Sequence, residues 1–523
     1  MPTFELVVLL LVATIPLVIA ARAAGVAYPI VLVLAGLAIG FLPFVPTLAL
    51  PPRAILVIFL PPLIYWTTAT APTRAFRAFA TPILRQAVGL VIATAAAVAA
   101  AAHWLIPGLP WGAAAAFGAI VAPTDSVAFG PIAERSHVPQ RVIAIVEGES
   151  LLNDAVALVL YATAVAAVVG NFSWGAAATS LAWSTLAAVA IGVVAGALVV
   201  RALALIREPM LAVLATLLAS YLAYIPATHA GASGVVATVA EALYVTRYLP
   251  PSLSPRTRVL NRGAWAVLIF VLNAVIFILV GLQLRPIVQS LHGLSPSTFI
   301  LWALAINAVV VGGRLLWMMG VAYPIDRYVR SFEDVPPWRN YVFTSWAGFR
   351  GGVSLAAALA LPLAASGGAP FPHRSLLIAL TFSVILVTLV GQGTTLPLLL
   401  RVLRFPDDGR ERDEERRAIE IATRSSLDHL EELAREGRVD ANAAQALRRR
   451  YARHVLDEDA TSEVLTLHRT ELELLALQHR AVVRLRNSGK IENTTMQRLE
   501  TELDFKRIQL EEQVTRGAAA ELE

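Results

Sequence analysis

The segment GESLLNDA, residues 148–155, places four polar side chains inside a long run of apolar residues. Glu149, Ser150, Asn153 and Asp154 stand where the neighbouring sequence supplies mainly alanine, valine, leucine and isoleucine. In a helix, Ser150 and Asp154 share one face, and Glu149 and Asn153 form a second stripe beside it. Because an ionisable side chain facing lipid is costly, both stripes are expected to face protein or water.

The composition of the chain is typical of a membrane protein. Of its 523 residues, 57% are hydrophobic and 15% are charged, whereas soluble proteins carry a charged fraction of about a quarter. The chain has no cysteine, which excludes disulfides, thiolate metal ligands and thiol nucleophiles. The first apolar stretch has no basic segment before it, which predicts a first membrane span and not a cleaved signal peptide.

Apolar stretches of roughly 18 to 28 residues predict thirteen membrane spans. The predicted starts lie near residues 4, 28, 54, 83, 111, 143, 174, 209, 229, 262, 298, 340 and 375. Alternate connections carry 15 arginines, and the opposite set carries three, Arg53, Arg285 and Arg374. Since basic residues concentrate in cytoplasmic loops, the N-terminus is expected outside the cell (inner) membrane and the C-terminal tail in the cytoplasm.

Few ionisable residues lie within the predicted spans: Asp125, Glu147, Glu149, Asp154, Glu241, Arg314 and Arg350. Five acids and two bases cannot all be paired as ions, so at least one carboxylate should hold a proton or a cation. Asp154 lies about 11 residues into its span, roughly 16 Å deep in a hydrocarbon core about 30 Å thick.

Three of the other polar residues have simpler expected roles. Glu241 lies near the inner end of its span, and we expect its side chain to snorkel to water. Arg314 is expected to satisfy the carbonyls of a broken helix. Asn273 is expected to be a contact between packed helices.

The segment GAIVAPTDSVAFG predicts an interrupted helix, because Pro123 removes a backbone donor and clashes with the preceding turn. The interruption is expected near Asp125, and its freed backbone groups are tolerated at membrane depth only where they line a cavity. Thr124, Asp125 and the freed carbonyls could then join Asp154 and Ser150 as oxygen ligands. Such ligands suit an alkali cation or a proton better than a transition metal.

The pattern APTDS followed by EGESLLNDA resembles the sodium/proton exchangers of the first monovalent cation/proton antiporter family, which include the bacterial NhaP type. The resemblance continues through SGVVA at 233–237 and through W-x-x-L-x-F-x-x-N-x-x-x-F-x-x-x-G-L-Q-L at 265–284. It ends with SWAGFRGGVSLAAALALP at 345–362 and TFSVILVTLVGQGTTLP at 381–397.

The resemblance implies an all-α membrane protein of about 13 transmembrane helices, with inverted repeats and helices broken at the midplane. It implies a homodimer that exchanges a monovalent cation, Na⁺ or K⁺, for protons electroneutrally and contributes to pH homeostasis. Relatives differ from this chain at two positions. Many have proline where Ser126 stands, and many have an acid where Trp66 follows PPLIY.

Position by position, the resemblance also implies a site. Asp154 matches the carboxylate that alternately takes a proton or a cation, and Asn153 is its partner in the family's Asn-Asp pair. The implied ligands of Na⁺ or K⁺ are Asp154, Asp125, Thr124 and Ser150. Arg350 matches an arginine that pairs with the glutamate at position 149, which implies a structural Glu149–Arg350 ion pair.

The chain changes character after about residue 403, where 26 of its 37 acidic residues follow. We therefore predict a transmembrane antiporter domain over 1–403 and a cytoplasmic helical domain of three to four helices over 404–523. The sequence shows neither a phosphate-binding loop nor a strand pattern that would indicate a nucleotide site. We expect no ATP-driven transport, no enzymatic activity, no cofactor and no nucleic-acid binding.

Two classes of function remain at this point. The first is a secondary active transporter that exchanges a monovalent cation for protons. The alternative is a passive cation channel, or a membrane-embedded sensor that signals through the tail, with the same buried carboxylates. The predicted broken helix facing an Asn-Asp helix favours the transporter.

Overall fold

The computed structural model describes most of the chain: residues 3–42, 52–70, 79–125, 129, 138, 140–170, 174–249, 254–289, 291, 294–329, 338–365, 368–405, 410–440, 442–448, 462–488 and seven residues beyond 498. The chain divides into two compact units, Met1–Asp407 and Asp408–Glu523. Ser126, the first of the two departures from the family pattern, lies outside the described residues.

The first unit is built from helices. In chain order they are α1 (Thr3–Ala23), α2 (Tyr28–Gly40), α3 (Pro52–Thr70), α4 (Ala80–Leu105), α5 (Trp111–Val121), α6 (Gln140–Val169), α7 (Trp174–Leu205), α8 (Pro209–His229), α9 (Gly234–Tyr248), α10 (Pro255–Leu282), α11 (Leu284–Gln289), α12 (Pro296–Tyr328), α13 (Trp338–Trp346), α14 (Gly352–Leu359) and α15 (Arg374–Leu403). Within the described residues, the extended pairing is limited to an isolated bridge between Ala364 and Pro370.

The all-helical membrane fold expected from the sequence is confirmed. A helix begins within seven residues of each of the thirteen predicted starts, and seven helices of the described part of the chain are long and apolar enough to cross a membrane. The others do not meet both criteria over the residues searched, and two of them, α13 and α14, are separated by a break. The number of spans therefore stays a prediction.

Serine followed by proline starts two of the helices. Ser254 Oγ accepts a hydrogen bond from the backbone N–H of Thr257 (3.1 Å), and Ser295 Oγ accepts one from Thr298 (3.2 Å). Proline follows each serine at the first helical position, where its missing N–H costs nothing and its fixed φ favours the helix. These caps fix where α10 and α12 begin.

Glycines allow the helices to approach one another closely. A Cβ on Gly36 of α2 would overlap the backbone of Ile278 on α10, and one on Gly118 of α5 would overlap Ala95 of α4. Gly192 of α7 lies against Ala237 of α9 in the same way. Because lipid gives no hydrophobic drive to helix association, such backbone contacts supply much of the packing energy.

The second unit contains two long amphipathic helices, α16 (Arg410–Arg435) and α17 (Ser462–Asn487), and a shorter helical segment over 442–448. Charged residues alternate with leucine and isoleucine along both long helices. The helical character expected of the tail is seen in these segments. The expected total of three to four helices includes residues outside the described part.

Candidate functional site

Two interrupted helices meet inside the first unit. After α5 ends at Val121 the backbone leaves the helix through residue 125, and residues 347–351 form a similar break between α13 and α14. The N–H of Asp125 donates to the carbonyl of Phe349 (2.8 Å), so the two breaks are joined by a main-chain hydrogen bond. Backbone groups freed by each break are thus partly satisfied by the other, as required at membrane depth.

Proline and glycine cause the two breaks in different ways. The first break comes at Pro123, as the sequence predicted. The second contains no proline, and the sequence analysis did not locate it. Its signal is three glycines, Gly348, Gly351 and Gly352, within AGFRGG. A Cβ on Gly351 would overlap the carboxylate of Asp125, so glycine there is required by the close approach of the two chains.

A chain of hydrogen bonds ties α6 to the first break. Asn153 Nδ2 donates to Oγ1 of Thr124 (2.8 Å) and to its carbonyl (3.2 Å), and Thr124 Oγ1 donates to Glu149 Oε1 (3.2 Å). All three side chains are buried. Asn153 and Thr124 therefore fix the position of α6 relative to the first break. Neither residue lines the cavity described below.

Glu149 pairs with Arg314 of α12, and the predicted pairing with Arg350 is wrong. Arg314 Nη2 lies 2.8 Å from Glu149 Oε2, and Nη1 contacts Oε1, so the pair is bidentate. Arg314 also donates to the carbonyls of Ser345 and Thr344, both at 3.1 Å. The carbonyl-binding role expected for Arg314 is thus present, with the ion pair in addition.

Arg350 binds backbone carbonyls. Its Nε donates to the carbonyl of Val121 (3.1 Å) and its Nη1 donates to that of Gly348. The physical reason is position: Arg350 lies within the second break, so its nearest acceptors are carbonyls that the two breaks have freed. A cation at the C-terminal end of α5 is also favoured by the helix dipole.

Asp154 lies halfway along α6, and its carboxylate forms no hydrogen bond or ion pair with the described residues. With Asp125 and Ser150 it lines a cavity whose opposite wall comes from α3 and α10. Three of the five predicted site residues thus meet at one cavity. Two carboxylates in a cavity without an arginine between them favour a bound proton or cation over two bare charges.

Asp154 also lines a second cavity, on its other side. This cavity is bounded by Pro123, Tyr161 and Ser354, and it shares with the first both Asp154 and Val353. Asp154 therefore borders both cavities, the first of which is lined in part by polar atoms and the second by apolar atoms only.

Asn273, which was expected from the sequence to be a helix-packing contact, lines the first cavity. It lies on α10, it is 5% exposed, and its side-chain oxygen accepts no hydrogen bond from the described residues. Thr67 of α3 lines the same wall. The sequence carried a signal for Asn273, since it is an amide in the apolar second half of α10, but the spacing could not show which neighbour it faces.

Two further predictions concern residues away from the cavity. Trp66, which stands where many relatives have an acid, stacks on Trp265 with ring centroids 5.5 Å apart and is not on the cavity wall. The expectation that Glu241 snorkels to water is wrong, because its side chain is 0% exposed. The helices packed around α9 enclose it completely.

No group of three or more histidine, aspartate or glutamate side chains within the described residues is arranged to hold a metal ion. The cavity instead offers separate oxygens, from Asp154, Asp125, Ser150 and Asn273. This donor set fits a weakly bound monovalent cation as cargo.

Comparisons with known proteins agree with this architecture. A family described as "Sodium/hydrogen exchanger, transmembrane" matches residues 7–402. The uncharacterised Na⁺/H⁺ exchanger Rv2287 of Mycobacterium tuberculosis is 33% identical over 500 residues, which cover 92% of this chain and 91% of the relative. The sodium, potassium, lithium and rubidium/H⁺ antiporter of Bacillus subtilis is 30% identical over 356 residues, 66% of this chain and 53% of its own length.

The fold has a counterpart among solved structures. The sodium proton antiporter MjNhaP1 of Methanocaldococcus jannaschii superposes with a TM-score of 0.59, over 76% of this chain and 98% of its own, at 18% identity. At that identity the likeness concerns the fold alone. With the family match over nearly all of the membrane unit and a relative matched over more than nine-tenths of both chains, the chain belongs to the sodium/hydrogen exchanger family.

Proposed function

We propose that this multi-pass membrane protein exchanges a monovalent cation, Na⁺ or K⁺, for protons by alternating access, with Asp154 as the carboxylate that both ions share. The observation that carries the proposal is the position of Asp154. Its carboxylate has no hydrogen bond or ion pair with the described residues, and the residue borders two cavities. The exchange needs no cofactor besides the transported ions.

The chemistry of exchange follows from competition at one site. A cation bound by Asp154, Asp125 and Ser150 exchanges its water ligands for their oxygens, and a proton on Asp154 neutralises the same charge. The bound cation and the bound proton therefore exclude each other. An unloaded site leaves carboxylate charge in a low-dielectric wall, which disfavours movement of the empty site across the membrane. Transport in one direction is thereby coupled to transport in the other.

The surrounding contacts hold this site in shape. The Glu149–Arg314 pair is buried and bidentate, and Thr124 joins it to Asn153, the residue next to Asp154. In this proposal Thr124 and Asn153 position the carboxylate, and the ligands are the oxygens that reach the cavity. Asn273 contributes a further oxygen from the facing helix.

The membrane arrangement is part of the proposal. The arginine distribution supports an N-terminus outside the cell membrane and a C-terminal unit in the cytoplasm. The cavity that contains Thr67 then opens toward the cytoplasmic side, and the cavity that contains Tyr161 toward the outside. The protein works as a homodimer, and each cation is exchanged for one proton.

Purified protein in vesicles tests the proposal. With the membrane potential clamped at zero, an imposed Na⁺ or K⁺ gradient should drive protons against their own gradient, and the rate should not change when the potential is stepped. A passive channel cannot move protons uphill under a clamp, so its behaviour would contradict exchange. A transport current that reverses with potential would contradict the one-for-one ratio alone.

A further inference from the structure

Glu241 on α9 is a buried acid that the Asp154 cavity does not use. Its side chain is 0% exposed, and neither carboxylate oxygen has a hydrogen-bond partner in the described part of the chain. It lines neither of the two cavities at Asp154. An ionised carboxylate in such surroundings would lose its hydration without any compensating contact, which is strongly unfavourable.

The neighbours of Glu241 supply no positive charge. On the α7 side the contact is made by Gly192 and Gly196, where a Cβ would meet the backbone of α9. On the α3 side lies Tyr65, a titratable group close enough for the charge of Glu241 to act on its hydroxyl. Tyr244 lies almost one turn further along α9.

The remaining neighbours are polar but neutral, or apolar. On α8, Ser220 is buried, its hydroxyl has no partner in the described residues, and its carbonyl contacts Thr238 Oγ1 of α9 (3.5 Å). On α6, Leu151 belongs to the same apolar cluster as Val239 of α9. Within the described residues, no arginine or lysine forms an ion pair with Glu241. A neutral carboxyl is therefore the form that this packing accommodates.

We propose that Glu241 is a second proton-binding site, separate from Asp154, which carries its proton in the packed arrangement of α3, α7, α8 and α9. The proton is not exchanged for cation. Loss of the proton leaves a charge that this packing cannot hold, so deprotonation favours an arrangement in which α9 reaches water. The site thereby couples external or internal pH to the packing of these helices, independently of competition at Asp154.

Thermal unfolding in detergent tests proton binding without any transport assay. Glu241→Gln keeps the size of the side chain but cannot ionise. In the wild type, unfolding releases the proton above the ordinary carboxyl pKa of about 4.3. The unfolding equilibrium of the wild type should therefore shift by up to about tenfold per pH unit relative to Glu241→Gln as pH rises. The melting temperature of the variant should match the wild type near about pH 5 and exceed it increasingly toward about pH 9.

A matched control is Glu208→Gln, which removes an exposed acid at the start of α8 that makes no cap hydrogen bond. Its difference from the wild type should stay constant with pH. A constant difference for Glu241→Gln as well would overturn the proposal. If Glu241→Gln does not fold, Glu241→Met removes the ionisable group with an unbranched apolar side chain, and the same comparison applies.

Exchange in vesicles separates this site from Asp154. Glu241→Gln should flatten the pH dependence of the maximal exchange rate and leave the pH dependence of apparent cation affinity as in the wild type. A maximal-rate profile identical to that of the wild type, or a changed affinity profile, would count against a separate site. If the wild type shows no exchange at all, the proposed function fails, and the melting comparison still decides the role of Glu241.

Discussion

The carboxylate of Asp154 combines two properties that rarely occur together in a membrane helix. It lies at the middle of a 30-residue helix, and the residue borders two cavities. Glu149, five residues earlier, is as deep in protein but is fully engaged by Arg314 and Thr124. Of these two acids, Asp154 has no fixed partner, so it is the one that can exchange a proton for a cation.

Replacing Asp154 by asparagine should abolish coupled exchange and leave the fold intact. Asparagine keeps the size of the side chain but cannot ionise, so it offers neither a proton site nor a full charge for the cation. The wild type should show an apparent cation affinity that rises with pH and then saturates, because protons and cations compete. Cation-driven proton movement by Asp154→Asn close to the wild-type rate would refute this role, and Asp125 would be the next candidate.

Removing Arg314 should destabilise the protein strongly. Arg314→Ala leaves Glu149 buried without its cation, and such a loss typically costs on the order of 3–5 kcal/mol. Glu149→Gln combined with Arg314→Met removes both charges and should recover a large part of that stability. Melting temperatures of the single and double variants measure the effect. An Arg314→Ala protein that melts like the wild type would show that the pair does not stabilise the fold.

The identity of the paired arginine could not be obtained from sequence. Glu149 and two basic residues, Arg314 and Arg350, were visible as buried charges, and only the three-dimensional path of α12 shows which guanidinium reaches the carboxylate. The resemblance to the family favoured Arg350. The position of Arg350 inside a helix break, next to carbonyls freed by that break, explains why it binds backbone instead.

At the scale of elements, the crossing of the two interrupted helices organises the site. The α5 break was predictable because proline removes a backbone donor, but the break between α13 and α14 depends on glycines that tertiary contacts require. Gly351 is needed because Asp125 lies against it, and Gly348 because the Arg314 side chain does. The spacing of residues in the sequence cannot predict these tertiary contacts.

A methyl group at position 351 should damage the site selectively. Gly351→Ala would force the Asp125 carboxylate away from the crossing and should lower apparent cation affinity and the rate of exchange substantially. Gly263→Ala is the matched control, because its added Cβ meets nothing within 4 Å and helix propensity favours alanine. Cation-dependent exchange of both variants checks the expectation. Equal activity of the two variants would mean that the Asp125 carboxylate is not required at the crossing.

At the scale of the whole molecule, helix positions followed from hydropathy but crossings did not. Each predicted start has a helix nearby, because about 20 apolar residues mark a span whatever its neighbours. The contacts of Gly36, Gly118 and Gly192 depend on which helices become neighbours. The burial of Glu241 also depends on which helices surround α9. Its distance from the helix end therefore predicted the wrong exposure.

The membrane orientation can be tested with single cysteines, since the natural chain has none. Ser297→Cys, at the exposed start of α12, should react with a membrane-impermeant maleimide on intact cells. Arg207→Cys, exposed between α7 and α8, should react only after the membrane is permeabilised. The labelling pattern on intact and permeabilised cells is the measurement, and the reverse pattern would invert the proposed topology.

The main-chain hydrogen bond between Asp125 and Phe349 has a mechanical consequence. Together with the bond from Arg350 to Val121, it fastens the two broken helices to each other, so the crossing behaves as one stiff block. The facing wall from α3 and α10 meets this block largely through aliphatic side chains such as Leu63 and Ile276. Such a surface can slide with little loss of directed bonding, so in the proposed exchange cycle this block can move along α3 and α10 as a unit.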